Sequence, residues 1–187
     1  NNLRRKKGIG LFYYAGHGVQ VRGENYLLPI DIIPQTAADV RYDAVPVGKL
    51  LGQMEEADNN MNLVILDACR NNPFPQSFRS ANQGLAQVNA PTGSFISYAT
   101  APGQVAADGE GANGLFTSSL LKHMVVPNLK LEEVFKRVRI DVQQASNDRQ
   151  VPWDSSSLTG DFYFIPPSQQ QVASSIAEPQ LQENTEQ

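Results

Sequence analysis

Two residues capable of acyl-transfer chemistry stand 52 positions apart: His17 within Gly16-His17-Gly18, and Cys69 within Asp67-Ala68-Cys69. The thiolate is the reactive form of cysteine, and a neighbouring imidazole takes its proton or holds it as an ion pair, which makes a nucleophile for a carbonyl carbon. Gly18 lets the backbone approach a substrate closely and offers an N–H to a developing oxyanion. Asp67 lies two residues before Cys69, so in an extended segment its carboxylate falls on the same side as the thiol. A nearby anion raises a cysteine pKa and opposes the thiolate, unless a cationic substrate group offsets it.

Each of these residues also has a plainer reading. Cys69 could be an inert core thiol, His17 a turn histidine bonded to backbone, and Asp67 a helix-capping or salt-bridging carboxylate. His123, in the amphipathic run Ser118-Ser119-Leu120-Leu121-Lys122-His123, reads as a solvated helix residue. Cys69 is the sole cysteine and His17 and His123 are the sole histidines, which excludes an internal disulfide and a structural zinc site of Cys and His.

The elements that must position this pair are legible from hydrophobic pattern. Residues 9–16 form a short apolar and aromatic run that suits a strand buried on both faces and ending at the glycine before His17. Residues 62–69 form a second apolar strand ending at Cys69, and 94–100 a third. Between the first two, Val47, Leu50, Leu51 and Met54 recur at helical spacing behind Pro46, which predicts a helix over about 46–57. Two buried strands separated by a helix imply a parallel βαβ unit, whose carboxyl edge is where ligands collect. Residues 25–30 read as a short strand or hairpin arm, 70–92 as a long loop, 115–124 and 131–145 as helices, and 161–164 as a last strand.

Composition sets the wider limits. The 187 residues fit one domain, and 41% apolar content supplies a core. Residues 1–164 hold 16 acids against 15 bases, whereas 165–187 hold three Glu and no Lys or Arg, so most of the net charge of −4 sits in the tail. A nearly neutral body whose only basic run is Arg4 to Lys7 disfavours nucleic acid as a partner. No apolar run reaches the roughly 18 residues of a membrane span. The Gln- and Pro-rich stretch 166–187 reads as a flexible tail or linker to a further domain.

Tyr13-Tyr14-Ala15-Gly16-His17-Gly18 and Asp67-Ala68-Cys69-Arg70, each at a strand end and at this separation, resemble the paired signature motifs of caspase-like cysteine peptidases, the peptidase C14 family. Asp67 in place of the glutamine of animal caspases is similar to metacaspases and to their bacterial relatives, the orthocaspases. The resemblance implies a three-layer α/β/α fold with a mostly parallel sheet over residues 1–165. It also implies that two strands and a helix normally precede the histidine strand, so the chain is expected to be N-terminally truncated. The implied activity is an endopeptidase acting on protein or peptide substrates, with His17 and Cys69 catalytic, the N–H groups of Gly18 and Cys69 as oxyanion donors, and Asp67 selecting Arg or Lys. Asp108 and Glu110 correspond to acids linked in metacaspases to calcium activation or the substrate pocket. Two acids fall short of the roughly 6–8 oxygen ligands of calcium, so no resident cofactor or metal is expected and calcium activation stays an open alternative. The competing reading is an inactive caspase-like interaction module tethered through its C-terminal linker.

Overall fold

Leu63-Val64-Ile65-Leu66 contains no polar position, so a strand built on it needs cover on both faces. The computed structural model, which describes residues 8–69, 85–101 and 113–167 and of Cys69 the backbone alone, supplies that cover. The strand is β4 (Met61–Cys69). On one side β4 pairs in parallel with β1 (Ile9–Val21), and on the other in parallel with β5 (Ser94–Tyr98). Among the described residues the sheet has six strands in the order β3-β2-β1-β4-β5-β6, where β2 is Glu24–Leu27, β3 is Val45–Pro46 and β6 is Trp153–Ser156. It is mixed: the two central ladders are parallel and the three outer ones antiparallel.

Helices on opposite faces make three layers. Val47, Leu51 and Met54 of α2 (Val47–Glu56) pack against Val64, Leu66, Ile96 and Tyr98. The alternate residues Leu63, Ile65 and Phe95 meet Phe116 and Leu120 of α3 (Leu115–Met124) and Val134, Phe135 and Val138 of α4 (Leu131–Ala145). Phe135 is 1% exposed, with its ring centroid 4.8 Å from that of Phe95 and 6.3 Å from that of Phe116. Truncating a buried aromatic at such a junction leaves a cavity, so Phe135→Ala is expected to destabilise the chain by about 3–5 kcal/mol in urea unfolding. A loss below about 1 kcal/mol would contradict this packing.

Several expectations change. The strand over 9–16 does not stop at Gly16: β1 runs on to Val21 and turns into β2 through Arg22 and Gly23, whose φ of 54° and 85° suit a two-residue hairpin loop. Nor is it buried on both faces, since Ile9, Leu11 and Tyr13 are 50%, 52% and 41% exposed; the α3 and α4 layer packs on β4 and β5. The stretch 161–164 is not a strand but a single bridge of Tyr163 to Lys130, with Phe162 and Phe164 packed edge to face on the α3 and α4 core. The closing strand is instead Trp153-Asp154-Ser155-Ser156, held to β5 by its backbone and to α4 by the Arg139–Asp154 ion pair. A helix α1 (Ala37–Asp43) occupies the supposed connection, started by a capping box between Thr36 and Asp39. His123 is buried rather than solvated, with Nε2 2.9 Å from Asp141 Oδ2, where Lys122 Nζ also sits at 2.7 Å. The Lys122 ammonium foremost, then His123, holds the Asp141 carboxyl below the usual carboxylate range. The run Arg4 to Lys7, the acids Asp108 and Glu110, and most of the long loop and the tail lie outside the described residues.

Candidate active site

β1 and β4 run side by side in a register that pairs Tyr13 with Ile65, Ala15 with Asp67 and His17 with Cys69. The last of these pairs ends the parallel ladder, and from Gly18 onward β1 exchanges its partner for β2, with Gly18 opposite Leu27. His17 therefore stands where one strand passes from a parallel neighbour to an antiparallel one. The backbones of the two predicted catalytic residues are adjacent at the carboxyl end of β4, although 52 positions separate them in the chain.

The backbone at His17 is clamped. Its carbonyl accepts the Leu28 N–H at 2.9 Å, and the Tyr14 hydroxyl lies 2.9 Å from the same carbonyl and 2.7 Å from that of Leu28. Burial pushes the Tyr14 phenol above its ordinary pKa, so it stays a proton donor across the neutral range. Because the His17 carbonyl points at β2, the N–H of Gly18, on the opposite edge of the same trans peptide, points toward the β4 side. The glycines have packing reasons beyond the substrate approach read from the sequence. A Cβ on Gly16 would come within 2.6 Å of the Tyr14 hydroxyl, and one on Gly18 within 3.0 Å of both the Ala68 Cβ and Leu85 Cδ2. The His17 side chain itself is exposed. Beside it opens an apolar cleft of about 540 Å³, lined by Tyr14, Leu28, Pro29, Ile30 and Ile33 among others.

Asp67 is 8% exposed, and its Oδ2 accepts a hydrogen bond from the Thr117 hydroxyl in the first turn of α3. Gly114 caps that helix without a side-chain hydrogen bond, so the Asp67 carboxylate also brings negative charge to the positive end of α3. The Tyr13 hydroxyl lies 2.6 Å from Thr117 Oγ1. Burial foremost, and then the Asp67 charge, raise the Tyr13 pKa. Thr117 and Tyr13 were not among the sequence candidates. Tyr13 had a signal in its parity with His17 along one strand, whereas Thr117 had none, because its role depends on how α3 docks on the sheet.

A three-layer α/β/α domain with a histidine and a cysteine paired at the end of a parallel ladder has the layout of a caspase-like domain. Residues 3–163 match the caspase domain family, Peptidase C14, and the chain belongs to that family. It is 28% identical over 141 residues to mucosa-associated lymphoid tissue lymphoma translocation protein 1 of Homo sapiens, and equally to its homolog in Mus musculus. These alignments take in 73% of this chain and 16% of each relative, so the chain spans a small part of the relatives' length. It is a caspase-like peptidase or a relative of one.

Proposed function

We propose that this chain is a cysteine endopeptidase that hydrolyses peptide bonds after Arg or Lys through an acyl-enzyme. The observation that carries this reading is the pairing of His17 with Cys69 at the end of the β1 and β4 ladder. His17 takes the thiol proton, and the Cys69 thiolate attacks the scissile carbonyl. The imidazolium then returns the proton to the leaving amine, which departs as the thioester forms. Water, deprotonated by His17, cleaves the thioester and regenerates the thiol. The N–H groups of Gly18 and Cys69 hold the tetrahedral oxyanion, a role supported for Gly18 by the direction of its peptide. Asp67 receives the guanidinium or ammonium of the substrate, and its burial strengthens that pairing relative to an exposed carboxylate. Partners are protein or peptide substrates, and the peptidase domain comprises residues 1–165.

The exposed apolar row Ile9, Leu11 and Tyr13 favours a second reading, a catalytically silent interaction module. Peptides bearing a thiol-reactive ketone after either Arg or Asp separate the two. Mass spectrometry is expected to find Cys69 modified by the Arg peptide and spared by the Asp peptide. Equal modification by both would refute the basic preference, and none by either would favour the module.

A further inference from the structure

An ionised carboxylate only accepts hydrogen bonds, so the single proton of the Thr117 hydroxyl is committed to Asp67 Oδ2. Thr117 Oγ1 must then act as acceptor toward Tyr13, whose hydroxyl is 2.6 Å away. The result is a directed chain, Tyr13 O–H to Thr117 O–H to Asp67 carboxylate, that crosses from β1 through α3 to β4. Its ends lie four residues before His17 on one strand and two before Cys69 on the other.

We propose that Thr117 is the positioning residue for the Asp67 carboxylate, fixing the direction in which it meets the basic side chain of the substrate, and that Tyr13 holds the Thr117 hydroxyl in its donating orientation. This rests on the reading of Asp67 as the group that selects Arg or Lys. A carboxylate on a side chain with two rotatable bonds recognises a planar guanidinium well only when its plane is held, and a hydroxyl fixed to one oxygen holds it. Thr117 suits the task because α3 is anchored beneath it by Phe116 and Leu120, both buried in the core, so the hydroxyl cannot drift. Tyr13 is 41% exposed at the phenol-bearing face of β1, so its hydroxyl can be removed with little loss of packing.

The test uses the full chain with Thr117→Val, which keeps the shape and removes the hydroxyl, Thr117→Ser, which keeps the hydroxyl, and Tyr13→Phe. With an Arg reporter, Thr117→Val is expected to lower kcat/KM about 10- to 50-fold, mainly through KM, and Tyr13→Phe about 3- to 5-fold. Thr117→Ser should stay within about 3-fold of the parent, and the rate of Cys69 alkylation by iodoacetamide should be the same in all four proteins. Unchanged KM in Thr117→Val, or equal damage in Thr117→Ser, would overturn the positioning role. A merely structural tie would instead lower Tm and alter alkylation and turnover together. If Thr117→Val does not fold, the KM of Tyr13→Phe decides. A parent that prefers Arg while the variants match it sinks this inference alone, whereas a parent that cleaves no Arg reporter sinks the specificity reading with it.

Discussion

Replacing Cys69 with alanine is expected to lower kcat/KM for an Arg reporter peptide by about 10⁴-fold or more, because it removes the proposed nucleophile of the acyl-enzyme. Cys69 is the only cysteine of the chain, so no second thiol can substitute for it. His17→Ala should cost a comparable factor, and the double variant little more than either single one, since a nucleophile and its base act as a unit. The register that pairs the two residues is the structural basis for this non-additivity. Residual turnover by Cys69→Ala within tenfold of the parent would show that the hydrolysis does not pass through this thiol. Because position 69 ends a strand whose preceding residues carry the core, the alanine variant should unfold at the same urea concentration as the parent, which separates lost chemistry from lost fold.

The second large effect concerns charge. Asp67→Asn keeps the size of the side chain and an oxygen to accept the Thr117 hydroxyl, and removes only the negative charge. A buried carboxylate paired with a substrate cation is worth about 3–5 kcal/mol when one partner is lost, so kcat/KM for an Arg reporter should fall about 150- to 5,000-fold. A reporter with an uncharged residue in the same place should lose less than about fivefold. The same substitution should act in the opposite direction on the thiol. Removing a neighbouring anion lowers a cysteine pKa, so alkylation of Cys69 by iodoacetamide at pH 7 should speed up. Slower cleavage of Arg reporters with faster alkylation is a combination that general damage to the site does not produce. Equal losses for Arg and uncharged reporters would place the selectivity elsewhere.

The parts legible in the sequence are those governed by local pattern. The stretch Leu63-Val64-Ile65-Leu66 has no polar side to turn to water, which demands a central strand, and the helix behind Pro46 shows its spacing in Val47, Leu51 and Met54. The motifs at His17 and Cys69 are legible for the same reason, being short runs recognised by residue type and spacing. Elements whose identity rests on distant partners were not. Trp153-Asp154-Ser155-Ser156 carries no strand pattern and becomes β6 because β5 has an edge to pair and Arg139 holds Asp154. Phe162 and Phe164 look like strand residues, yet their rings are drawn to the α3 and α4 core, which leaves 161–164 with a single bridge. His123 sits on an amphipathic helix, a pattern that by itself predicts a solvated residue, but α4 packs Asp141 against it.

The amino-acid sequence sufficed for which groups could react: one thiol, one glycine-flanked imidazole and one carboxylate two residues before the thiol, on strands set apart by a helix. Those are properties of residue type and of periods two and 3.6, which the chain carries locally. Tertiary structure alone decided the rest. It brought His17 opposite Cys69 rather than one residue out of step, and it ran β1 past the histidine to a second partner. It also set a threonine 50 positions beyond Asp67 against that carboxylate. Strand register and helix docking are chosen by which buried faces fit together across the whole domain, and no segment contains that information before it meets its neighbours.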